Sequence, residues 1–183
     1  MSSTNINENI SLISQELANA INQQIGSEFQ AKLQYLNLAA YFDAEDLPQL
    51  AAFFYQQAQD EEMHAMKFLH YLVDAGSVVE IPLIAKPEFT FDSAETAVHL
   101  ALQSEVRVTG QINALMDLAV EQKDHLSQDF LRWFVTEQLE EISTMKTLLN
   151  ITRRAGDNLL WVEDYLVRNP LGLAAEQPGT TAA

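Results

Sequence analysis

The chain has no cysteine among its 183 residues. That absence excludes a disulfide framework, thiolate-bound zinc and iron–sulfur clusters. Glycine and proline are scarce too, at 6 and 5, which argues against a loop-rich scaffold. Basic residues are few: 10 Lys and Arg stand against 26 Asp and Glu, giving a formal charge of −16. So acidic a surface repels phosphate backbones, and no nucleic-acid partner is expected; cations, by contrast, are attracted. No run approaches about 20 apolar residues, so no membrane span or membrane partner is expected. Met1–Asn9 has neither the basic residues nor the apolar stretch of a secretory leader, and the expected location is cytoplasmic. What the chain has in quantity is apolar residues, 48 %, enough to bury one substantial core.

Those apolar residues recur at helical spacing in four long segments, with glycine and proline almost confined to the gaps. The first helix is expected from about Ser11 to Asp43, with Ile21, Ile25, Glu28, Tyr35, Ala39 and Phe42 on one stripe. After a break at Ala44–Leu47, Asp46 and Pro48 read as an N-cap and a first-turn proline. The second helix then runs to Ala75, with Leu50, Phe54, Gln57, Glu61, His64, Phe68 and Tyr71 on one face, and Gly76 stops it. Residues 77–91, with Pro82 and Pro87, read as an extended crossing. Asp92 and Glu95 suggest a capping box for a third helix to about Gln122, whose inner stripe is Val98, Leu102, Glu105, Val108, Ile112 and Met116. A fourth, about His125 to Ala155, turns Phe130, Phe134, Gln138, Glu141, Met145 and Leu148 inward before Gly156. Asp157 then caps a short fifth helix, about Asn158 to Arg168. The expected organisation is an N-terminal extension 1–10, one domain 11–168 and a flexible tail 169–183.

The two short breaks make their flanking helices antiparallel neighbours. Fifteen extended residues reach roughly 50 Å, more than the roughly 43 Å of a 29-residue helix. The crossing therefore spans the bundle and leaves helices two and three parallel. The fold expected is all-α, a four-helix bundle with one long crossover plus a short fifth helix.

Each stripe is apolar except near the helix midpoint. There stand Glu28, Glu61 with His64, Glu105, and Gln138 with Glu141. Helices of similar length packed side by side share a height at their midpoints, so these groups should meet in one layer. Several buried carboxylates repel one another and resist desolvation; a pair of divalent cations removes the conflict. Glu61 and His64, at i and i+3, reach toward one ion. Oxygen donors with one imidazole suit Fe(II), Mn(II) or Zn(II) better than copper. The bland alternatives are a solvated charge run at Asp60-Glu61-Glu62 and a satisfied core histidine at His64. Simultaneous intrusion on all four helices favours metal.

Phe130-Leu131-Arg132-Trp133-Phe134-Val135-Thr136-Glu137-Gln138-Leu139-Glu140-Glu141 resembles the fourth helix of prokaryotic non-haem ferritins. Ala58-Gln59-Asp60-Glu61-Glu62-Met63-His64 resembles their second helix, and Gln23 to Tyr35 their first. The resemblance implies a ferroxidase subunit of an iron-storage cage, a homo-oligomer of 24 subunits that oxidises Fe(II) with dioxygen or hydrogen peroxide. It implies that Glu28, Glu61 and His64 bind a first iron, and that Glu61 bridges to a second held by Glu105 and Glu141 beside Gln138. It further implies a third adjacent site at Asp60, Glu137, Glu140 and Glu141, although the family commonly has Glu where Asp60 stands. Tyr35 is expected to bond a ligand carboxylate, to supply an electron, or merely to pack. Glu141 is followed three residues later by Thr144 rather than His, and Glu62 stands where bacterioferritins carry their haem-ligating Met, so no haem is expected. Met63 and Met66 are read as packing residues. The rival readings are an acidic helical scaffold or adaptor without metal, and a di-iron oxidase acting on an organic substrate.

Overall fold

The computed structural model describes residues 11–172; the expectations for 1–10 and for the tail from 173 onward fall outside the described residues. Five helices occur among them: α1 (Gln15–Ala44), α2 (Pro48–Asp74), α3 (Ala94–Glu121), α4 (His125–Ala155) and α5 (Leu160–Arg168). None is long and apolar enough to cross a membrane.

Contacts at the helix ends fix the directions. Leu12 N donates to Ala75 O, tying the start of α1 to the end of α2. Ser14 Oγ donates to Gln122 Oε1 just beyond α3, and Arg153 near the end of α4 pairs with Glu95 at the start of α3 at 2.7 Å. So α1 is antiparallel to α2 and α3, α3 to α4, and the crossing makes α2 and α3 parallel. The backbone of α1 lies close to α2 and α3, and that of α3 close to α4. The fourth side closes through rings: Phe68 stacks on Phe134 and Tyr71 on Phe130, each pair with centroids 4.0 Å apart.

The crossing lies along α1, held by amide side chains that act as a strand would. Asn22 donates to Val78 O at 2.9 Å and accepts from Glu80 N at 2.7 Å. Gln34 pairs in the same way with both backbone groups of Glu88. Between these clamps Gly26 faces Pro82, and a methyl group there would overlap the proline Cγ. Gly26→Ala gains helix propensity of about 1 kcal/mol, but it displaces the crossing. The net expectation in chemical denaturation is a loss of about 1–2 kcal/mol, and a gain would show that the crossing is not seated on α1.

The helix ends correct four expectations. Helix α1 begins at Gln15 rather than near Ser11, because Ser14 caps it by accepting from Leu17 N. The capping box of α3 is Ser93 with Thr96, one residue later than Asp92 with Glu95. Asp46 does not cap α2: its φ of 57° places it in the left-handed region, where it reverses the chain, whereas an N-cap needs extended backbone. The first N–H groups of α2 are met from afar, since Gln49 N and Leu50 N donate to the Glu163 carboxylate of α5 at 2.7 and 2.9 Å. Helix α5 itself has no side-chain cap, so Asp157 does not serve it. Gly76 and Gly156, at φ of 73° and 55°, end α2 and α4 as expected.

The buried apolar residues fall into two clusters rather than one. The first includes Ala31, Tyr35, Phe54, Ala58, Ala101 and Met145. The second includes Ile25, Ala65, Phe68, Val108, Ile112 and Phe134. On every long helix the gap between the clusters falls at the polar intrusions.

Candidate metal centre

Between the two apolar clusters lies one layer of buried polar side chains. Glu28, Glu105 and His64 are each 1 % exposed and Glu61 is 2 %. Gln138 and Glu141 are buried beside them. Helical phase places them there: Glu28 follows Ile21 and Ile25 on the α1 stripe, Glu61 and His64 sit one turn apart on α2, and Glu105 and Glu141 face them from α3 and α4.

Two sets of donors share Glu61. Ligand atoms of Glu28, Glu61 and His64 lie within 4.8 Å of one another, and so do those of Glu61, Glu105 and Glu141. The Nδ1 of His64 is 3.4 Å from Glu61 and 3.7 Å from Glu141. Oε2 of Glu28, Oε2 of Glu61 and Nε2 of His64 are buried with no hydrogen-bond partner. Buried carboxylate oxygens with no donor are costly unless a proton or cation stands beside them. This donor set fits a pair of hard divalent cations.

The same crowding moves the proton affinities. Burial pushes the Glu28 carboxyl up to about 7, with Gln24 partly opposing by donating to it. Burial, and then the charge of Glu105, raises Glu61 and Glu141 well above the carboxylate range. Burial lowers His64 to about 4, with Lys67 adding to the effect. A neutral imidazole among carboxylates is the form that binds a cation.

Tyr35 is fully buried and its hydroxyl donates to Glu105 Oε1. Gln138 donates to Glu141 and, at 3.5 Å, to Glu105. Beside the layer, Asp60, Glu137, Glu140 and Glu141 line one small pocket of about 30 Å3 together with Gln57, Thr144 and Gly172. Glu137 also joins His64 and Glu141 in a third set within 4.8 Å. Asp60 and Glu140 belong to no such set among the described residues. Asp60 accepts instead from Gln56 at 3.1 Å and Gln57 at 3.4 Å. Burial raises its pKa, and burial followed by the Glu140 charge raises that of Glu137. Met63 is 43 % exposed, not a core packing residue.

Residues that support the layer escape a reading of stripes. Gln24, buried, donates to Glu28 at 2.8 Å. Thr109 donates to Gln138 Oε1 at 2.7 Å, fixing which end of that amide faces Glu141. The ring of Trp133 lies 5.5 Å from His64, with the Lys67 ammonium 4.3 Å from its centroid. Gln24 and Thr109 each stand four residues from a proposed ligand, Glu28 and Glu105, and that spacing was the available signal.

An antiparallel bundle with one long crossover and a carboxylate–histidine layer at mid-height defines the class of helical carboxylate-centre proteins. The comparisons narrow the class. A ferritin-like domain profile matches residues 18–155. Ferritin BfrB of Mycolicibacterium smegmatis is 44 % identical over 163 residues, covering 89 % of this chain and 90 % of its own. A bacterial non-heme ferritin of Staphylococcus aureus is 35 % identical over 147 residues, covering 80 % and 89 %. An open pore ferritin from the hyperthermophilic archaeon Archaeoglobus fulgidus superposes with a TM-score of 0.82 at 31 % identity, over 85 % of this chain and 97 % of that one. The chain belongs to the ferritin family.

Proposed function

We propose that this iron-storage ferritin subunit is a ferroxidase whose centre is the buried polar layer. The observation that carries the reading is the interruption of an otherwise apolar core, on all four long helices at one height, by buried carboxylates, with an oxygen of Glu28 and one of Glu61 left without a partner. Iron is the substrate. Glu28, Glu61 and His64 take one Fe(II), and Glu105 and Glu141 take a second, with Glu61 common to both. Gln138, held by Thr109, donates to one oxygen of Glu141 and leaves the other Glu141 oxygen for metal. Each Fe(II) gives up one electron, and dioxygen takes two electrons and two protons to become hydrogen peroxide; peroxide in turn can serve as oxidant and yield water. Anionic oxygen donors favour Fe(III) over Fe(II), because the higher charge gains more from them, and that difference drives the oxidation. Tyr35, bonded to Glu105, holds that carboxylate in place and is a near source of an electron.

The acids of the small pocket, Asp60, Glu137 and Glu140 with Glu141, form a third iron position beside the pair, and the oxidised iron passes on to a mineral core. The assembly is a homo-oligomeric cage of 24 subunits in the cytoplasm, with no haem. A metal-free acidic scaffold would keep its central acids hydrated, but Glu28, Glu61 and Glu105 are at most 2 % exposed.

Anaerobic titration with Fe(II), followed by air, tests the reading. The expected result is saturation at two tightly held ions per subunit, then Fe(III)–oxo absorbance matched by oxygen consumption, on a particle of several hundred kilodaltons. Saturation without oxidation, or no stoichiometric binding, would overturn it.

A further inference from the structure

Several openings approach the layer, and their chemistry differs; one of about 300 Å3 on the α2/α4 face, beside the Trp133 and Phe134 rings that pack on His64, carries the ionisable Lys67, His70 and Asp74. Since α1 neighbours α3 while α2 meets α4 through rings, the α1/α3 and α2/α4 faces lie on opposite sides of the bundle. On the α2/α4 side the acid-lined pocket is small, about 30 Å3. On the α1/α3 side a groove of about 350 Å3 is lined by Ala20, Ala114, Leu115 and Leu118, with only amide and hydroxyl groups from Gln23, Gln24, Ser27 and Gln111. It holds no ionisable side chain. At its floor Gln24, 3 % exposed, donates Nε2 to Glu28 Oε1 at 2.8 Å. One neutral side chain thus separates the groove from a carboxylate of the central layer. In the groove wall Oε1 of Gln111 is buried without a partner.

We propose that dioxygen reaches the centre through the α1/α3 groove, with Gln24 as the side chain that yields to admit it, while cations use the acidic side. This rests on the ferroxidase reading. Dioxygen is small, apolar and uncharged, so an alanine- and leucine-lined groove takes it up at little desolvation cost. A divalent cation entering the same groove would shed water with no charged group to replace it. The acidic pocket reverses both preferences. Rotation of Gln24 about its side-chain bonds breaks one hydrogen bond and opens the floor without moving a helix. Separate routes let iron load first and the oxidant arrive second without either blocking the other.

The test plugs the groove at its rim. Ala114 is exposed on α3 and belongs to neither apolar cluster. In the assembled Ala114→Trp protein the KM for dioxygen should rise roughly tenfold, while anaerobic Fe(II) binding keeps the wild-type stoichiometry and affinity. Xenon, a dioxygen surrogate, should occupy the groove beside Gln24 in pressurised wild-type crystals. An unchanged oxygen dependence in the folded variant overturns the proposal; if the variant does not fold, an absence of xenon from the wild-type groove does so instead. Failure of the wild-type protein to oxidise Fe(II) would instead remove the underlying ferroxidase reading, so the two failures are distinct.

Discussion

Glu61→Ala should slow the fast oxidation of Fe(II) by at least about a hundredfold, since changing even the outer partners of a metal ligand costs 10–100-fold. Glu61 is the one residue common to the Glu28–His64 set and the Glu105–Glu141 set. Its removal therefore weakens both positions rather than one. The adjacent charge supplies the control. Glu62 points outward, with a side chain 52 % exposed and 2.8 Å from Lys32, so Glu62→Ala should leave oxidation near the wild-type rate, because exposed pairs contribute little. Stopped-flow absorbance after mixing with air-saturated buffer reads both. Equal rates for Glu61→Ala and wild type would remove the carboxylate layer as the reaction centre.

Metal should reverse the pH dependence of stability. In the metal-free protein the unfolded chain loses its Glu28 proton near 4.5, while the native protein keeps it to about 7. Stability therefore falls as pH rises through that window and stays low above it. For Glu28 alone the effect is about 3 kcal/mol, and Glu61 and Glu141 are displaced in the same direction. His64 acts oppositely: the unfolded chain gains a proton near 6.5 and the native protein only near 4, so His64 costs stability as pH falls. Three carboxyls outweigh one imidazole, and the metal-free protein should melt lower at pH 8 than at pH 5.5. Zn(II), which undergoes no redox step, needs those carboxylates ionised, so its stabilisation should grow over the same range. At saturation about 4 kcal/mol, or about 10 °C in Tm, is expected at pH 8. A melting temperature unmoved by saturating Zn(II) at both pH values would mean that the layer holds no metal.

The bundle and its central layer were legible because they follow from short-range periodicity. Glu28, Glu61, His64, Glu105, Gln138 and Glu141 each break an apolar stripe, and helix geometry alone places such breaks inward. What periodicity cannot carry is contact between residues far apart in the chain. Glu163 meets the first turn of α2 across 113 residues, so the local pair Asp46-Pro48 looked like a complete start signal. The structure gives Asp46 a turn role and transfers the capping to α5. Tyr35 stands one helical turn pair above Glu28 in sequence, yet its hydroxyl goes to Glu105 on another helix. The inward aim of Gln24 and Thr109 was hidden for a different reason: amides and hydroxyls on a helix read as surface unless the partner is already known to be buried.

The Glu163 contact has a practical side for anyone attaching cargo to this protein. A carboxylate on α5 satisfies the N-terminus of α2, the helix that carries Glu61 and His64. A fusion joined beyond Arg168 keeps that clasp, whereas a junction placed before Leu160 leaves two backbone donors stranded at the head of the helix. The fifth helix is thus part of the foundation under Glu61 and His64, the proposed metal ligands, and the place to graft a payload lies after it, never in exchange for it.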